Sequence, residues 1–70
     1  MFYVIEIQTN SDGTSGNLVY AYADKADAEE KYGLLYATAA KSTVLVHTVV
    51  MLTDRGDMLA HKAFVHPVEE

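Results

Sequence analysis

Cysteine is absent from the 70 residues. The chain therefore has no disulfide staple, no thiolate nucleophile and no thiolate metal ligand. Basic residues are few, with five Lys and Arg against ten Asp and Glu and a formal charge of -5. Such a balance favours solubility and disfavours nucleic-acid backbones and anionic membranes as partners. No basic segment precedes the apolar N-terminal run, and Glu6 interrupts it. Neither a signal peptide nor a transmembrane helix is expected, and a cytoplasmic location is the default. The single proline, Pro67, cannot donate to a strand ladder and marks the end of the last strand.

Half of the residues are hydrophobic, which places the chain among globular domains rather than disordered ones. Residues 1–70 make one small α+β domain. At this size only about 60% of the unfolded surface can be buried, so a partner subunit is a natural source of extra stability.

The segment around which the chain is organised is Thr43–Thr53, a run dominated by β-branched residues whose stiff side chains suit a pleated surface. One alternation of this run contains Val44, Val46, Thr48, Val50 and Leu52; the other contains Leu45, His47, Val49 and Met51. Neither set is polar, so this strand needs cover on both sides. Phe2–Thr9 alternates as a strand, with Tyr3, Ile5, Ile7 and Thr9 as the better core face and Phe2, Val4, Glu6 and Gln8 on the other. A polar loop over residues 10–17 leads to a second strand, Leu18–Ala23. Asp24 is placed to cap a helix over residues 25–41, with Asp27 three positions on. Ala28, Tyr32, Leu35, Tyr36 and Ala39 form its buried stripe. Asp27 and Lys31 are spaced for an ion pair, and Gly33 points to close approach of a neighbour. After the central strand, Asp54-Arg55-Gly56 fits a three-residue loop with Gly56 left-handed, and residues 58–66 form the fourth strand.

These elements make a ββαββ chain. The preferred sheet is four-stranded and antiparallel in the order 2-1-3-4, which centres the two most apolar strands; the alternative 1-2-3-4 needs a parallel step and puts the weaker second strand inside. One helix covers one face. Both faces of the last hairpin stay apolar in either register, so the face that meets the helix is left open at this point. The uncovered face is the expected interface of a homodimer or larger homo-oligomer. Its candidate residues are Phe2, Val4, Val44, Val46, His47, Val49, Met51, His61 and Phe64.

No residue pattern supports catalysis, a metal or a cofactor. His47 pairs with His61 in one register and with His66 in the other, but two imidazoles without a clear third ligand make a poor zinc site, even with Glu6 on the same face. Asn10, Asp12 and Thr14 imitate the start of a calcium loop but lack the closing glutamate. The aromatic residues Phe2, Tyr3, Tyr20, Tyr22 and Phe64 lack the basic groove of a nucleic-acid platform. The leading expectation is a non-enzymatic module for protein–protein interaction. Two alternatives stand beside it: an acidic inhibitor of a basic protein surface using Asp24, Asp27, Glu29, Glu30, Asp54 and Asp57, and a small dimeric enzyme with histidine acid–base chemistry.

Phe2–Asn10 with Asp12-Gly13-Thr14, then Ala28–Tyr32, Ala39–Ser42 and Val46–Val49, resembles short reading frames of gut Firmicutes and their prophages. The resemblance carries no catalytic motif and transfers no site residue. It implies a small virion-associated or host-interaction protein.

Overall fold

A computed structural model of the chain describes residues 1–66; Pro67 and the 68–70 tail lie outside the described residues. Strand β1 (Phe2–Thr9) and strand β2 (Ser15–Tyr22) form a hairpin, helix α1 (Lys25–Ala40) follows, and strands β3 (Val46–Thr53) and β4 (Met58–Val65) form a second hairpin. All pairings are antiparallel, and the sheet order is β2-β1-β3-β4. The α+β class and the 2-1-3-4 order are those expected from the sequence.

The two hairpins close in the same way. Asn10 N–H donates to Thr14 O and Gly13 N–H to Asn10 O, just as Thr53 N–H donates to Asp57 O and Gly56 N–H to Thr53 O. Gly13 and Gly56 take φ values of 89° and 86°. Each is therefore the left-handed residue of a three-residue loop, where a β-carbon would be strained. The first loop is shorter than the sequence indicated, because Ser15-Gly16-Asn17 pairs in register with Ile7-Gln8-Thr9 and belongs to β2. Inside that loop Asp12 accepts bonds from the Thr14 hydroxyl at 2.6 Å and the Thr14 amide at 3.0 Å. These bonds hold the Asp12 carboxyl below its ordinary value.

Asp24 is extended and its side chain accepts from Ala26 N–H at 2.9 Å, which satisfies one of the free donors that open a helix. Ala28, Leu35 and Ala39 are the buried residues of α1. They rest on Val4, Val49 and Met51, with Phe2, Tyr20, Tyr22, Tyr32, Ala60 and Phe64 packed around that centre. Three helix expectations are corrected. Tyr36, expected in the buried stripe, is exposed. Nothing approaches within 4 Å of where a Gly33 β-carbon would sit, so Gly33 marks no close contact. Lys31 forms no ion pair with Asp27 among the described residues; its ammonium lies 4.2 Å from the centre of the Tyr20 ring instead.

The glycines separate two kinds of backbone cost. Gly56→Ala is expected to destabilise the fold by about 1–2 kcal/mol. Gly33→Ala, in an open helical position, is expected to stabilise it by about 0.5–1 kcal/mol. Urea unfolding of both variants checks the opposite signs. The Asp12 contribution has a sign of its own: it is present above the carboxyl's unfolded value and lost as pH falls through the lowered folded one. An NMR titration of the Asp12 carboxyl should move back towards the ordinary range in Thr14→Val.

Candidate functional site

The facing of β4 is set by a change of register in the second hairpin. Next to the loop, Leu52 faces Met58; one step further, Met51 faces Ala60. Leu59 is thus an extra residue on β4, and this bulge reverses the facing of all that follows. His47 then pairs with Phe64, Val49 with Lys62 and Val50 with His61. Phe64 turns towards the helix, where its ring meets Tyr36 edge-on at 5.1 Å between centroids.

The consequence for the expected interface residues is a division. Phe2, Val4, His47, Val49, Met51 and Phe64 lie beneath α1, and Val4 and Val49 are wholly buried there. They are corrected from interface to core: Phe2, Val4, His47, Val49 and Met51 share the β1–β3 alternation that meets the helix, and the bulge at Leu59 brings Phe64 to the same side. Val46 and His61 do lie on the uncovered face. Val44 precedes β3 and is half-buried, its N–H donating to the Ser42 hydroxyl. His47 and His61 are on opposite faces and cannot share a ligand. His66 Nε2 donates to the Ala39 carbonyl at 2.8 Å, which ties the end of β4 to the last turn of the helix. Asp24 is used as the helix cap, and Asp54 lies 3.6 Å from the amino terminus.

The uncovered face is built from the other alternation of each strand: Tyr3, Ile5, Ile7 and Thr9; Asn17, Val19 and Ala21; Val46, Thr48, Val50 and Leu52; His61, Ala63 and Val65. It contains no Asp, Glu, Lys or Arg. Its centre is the row Val19–Ile5–Val50–His61. Val19 is 57% exposed and Val65 68% exposed, while Tyr3, Ile5, Val46, Val50 and Leu52 are shielded in part by one another. A solvated sheet face normally carries polar residues.

A second feature lies in the core. Glu6 is 6% exposed and His47 2% exposed, and Glu6 Oε2 is 3.0 Å from His47 Nε2. A carboxylate only accepts, so the ring donates through Nε2. The other carboxylate oxygen accepts from the Gln8 amide at 3.2 Å. His47 Nδ1 is buried without a partner among the described residues. Glu6 and Gln8 also form part of a cavity of about 310 Å³ at the β1–β2 end of the helix side, lined further by Asn10, Ser15, Gly16, Asn17 and Leu18. The pair has one acid and one imidazole. No group of three or more His, Cys, Asp or Glu residues among the described residues is placed to hold a metal ion. The sequence pointed to Glu6 only as a face-mate of the histidines; the signal for the pair was its position as the sole acid inside an apolar strand.

No protein-family model, no curated protein and no solved structure matches the chain. No helix among the described residues is long and apolar enough to cross a membrane.

Breaking the buried pair should cost far more than replacing it. Glu6→Ala leaves the whole His47 ring without a partner and is expected to lose about 3–5 kcal/mol. Glu6→Leu combined with His47→Leu removes both polar groups and should fall within about 1 kcal/mol of the parent or exceed it. Urea unfolding of the singles and the double reads the difference, and a double as damaged as Glu6→Ala contradicts the assignment.

Proposed function

We propose that this protein is a non-enzymatic interaction module that self-associates through the sheet face opposite α1, within a phage- or prophage-related setting. The observation that carries this reading is the absence of any charged residue from a face on which apolar side chains form the centre. An exposed apolar patch of that kind is the ordinary mark of an interface.

A second copy of the chain is the partner this surface suits. The face has no charge to pair with a charged partner, and an apolar sheet is complementary to itself. Four strands of eight residues span about 27 by 19 Å, or about 500 Å². Two such faces together bury about 1,000 Å², the lower bound of a specific interface. A two-fold axis through the contact makes it isologous, and the strands of the two sheets then cross at about 30°. The stability that a 70-residue domain lacks in its own core comes in this arrangement from the second sheet.

Two neighbouring valines on β3 test the reading. Val50→Lys places an ammonium at the centre of the uncovered face and should yield a folded monomer. Val49→Lys buries the same charge under α1 and should unfold the chain. Size-exclusion chromatography with light scattering, run beside circular dichroism, separates the outcomes. A parent protein that stays monomeric across micromolar concentrations sinks the proposal.

A further inference from the structure

The outer edge of β2 and the cavity beside Glu6 belong to one surface. Asn10 and Thr14 form a hydrogen-bonded pair at the hairpin end, and such pairs alternate along an antiparallel ladder. With Gln8 opposite Gly16, Glu6 opposite Leu18 and Val4 opposite Tyr20, the even-numbered residues of β2 bond to β1. Ser15, Asn17, Val19 and Ala21 therefore turn their N–H and C=O groups outward, where the sheet has no further strand among the described residues.

The two edges of the sheet differ in how they are guarded. β4 carries Lys62 and the bulge at Leu59, both of which discourage an added strand. β2 reads Ser-Gly-Asn-Leu-Val-Tyr-Ala-Tyr, without charge or proline, and holds an unbroken eight-residue register with β1. It is a ready template. The cavity opens beside the first half of this strand, and a β-carbon at Gly16 would meet nothing within 4 Å. Its one charged lining group is the Glu6 carboxylate. Among the described residues no Lys or Arg lies within 4 Å of that carboxylate, and its partners are the His47 ring and the Gln8 amide.

We propose that the β2 edge takes an extended peptide strand whose Lys or Arg side chain enters the cavity and pairs with Glu6. Main-chain bonds to the outward groups supply affinity, and the pocket supplies selection at one side chain. A basic side chain is the complement of a desolvated carboxylate, and the charge of -5 on the chain favours a basic partner from a distance. A second copy pairing through its own β2 is a poorer occupant, since that strand has no cation to offer. The edge binds through the main-chain groups of β2 and the cavity on the helix side, whereas the uncovered face binds through side chains on the opposite side, so either proposal can fail without the other.

The test uses the full chain and three acetylated, amidated peptides of alternating Thr and Val that differ only at a central Lys, norleucine or Glu. Calorimetry should rank lysine over norleucine by at least about tenfold, with glutamate weakest. Amide shifts in ¹⁵N spectra should concentrate at Ser15, Asn17, Val19 and Ala21. Glu6→Gln, which keeps an acceptor for His47, should abolish the lysine preference while main-chain binding persists. Val19→Pro removes an outward donor without touching the ladder to β1 and should weaken all three peptides. Absence of binding, equal affinity of the lysine and norleucine peptides, or shifts that map to β4 or to the β1 and β3 residues of the uncovered face would overturn the proposal. The lysine–norleucine comparison needs no protein variant, so it decides the matter even if a mutant misfolds. Light scattering on the same samples reads self-association independently.

Discussion

One helix has to serve a four-stranded sheet, and that mismatch of size shapes everything else in the molecule. The 16 residues of α1 make a rod about 24 Å long and about 10 Å wide. A sheet of this width, about 19 Å across, has two faces, and the rod covers about half the width of one. α1 packs most closely over β3 and β1. Beside it, the β1–β2 end of the same face keeps a cavity. Behind it, no element among the described residues covers the opposite face. Both surfaces on which a partner is proposed are therefore consequences of a single geometric shortfall.

The polar pair under the helix sharpens that picture. Burying Glu6 and His47 is costly unless each finds the other, and even then His47 Nδ1 remains unpartnered among the described residues. An apolar pair would fill the same space more cheaply. What the pair contributes is a reason for one facing of the sheet over the other: turning β1 around would expose Val4 and Phe2 and strand a glutamate against an apolar partner. The residues left outside are as a result the more apolar alternation of β1.

That inversion explains which parts of the structure could be read in advance. The order of elements, the 2-1-3-4 sheet, the Asp24 cap and the left-handed Gly56 were legible, because each follows from local chemistry or from the need to centre the most apolar strands. The facing of the sheet was not. Tyr3, Ile5, Ile7 and Thr9 form the more hydrophobic set on β1, and hydrophobicity alone assigns them to the core. The structure places them outside and buries Glu6 against His47, 41 positions away, a long-range contact that no local pattern contains. The bulge at Leu59 was hidden for a related reason: an extra residue with no glycine and no polar side chain leaves no mark on the sequence. Of the expected interface residues in the strands, Val46 and His61 lie on the uncovered face; the others lie beneath the helix together, as one alternation must.

If the face carrying Val50 is covered by the same face of another copy, the two must touch through named side chains. Mixing protein labelled with ¹³C with unlabelled protein, and recording only the cross-relaxation between the two, measures that contact directly. Intermolecular signals are expected to link the methyl groups of Val46, Val50 and Leu52 to Ile5 and the Tyr3 ring, with none from Val4 or Val49. Intermolecular signals confined to α1 or to the loops, or their complete absence in a sample that scatters as a monomer, would contradict a dimer built on this face.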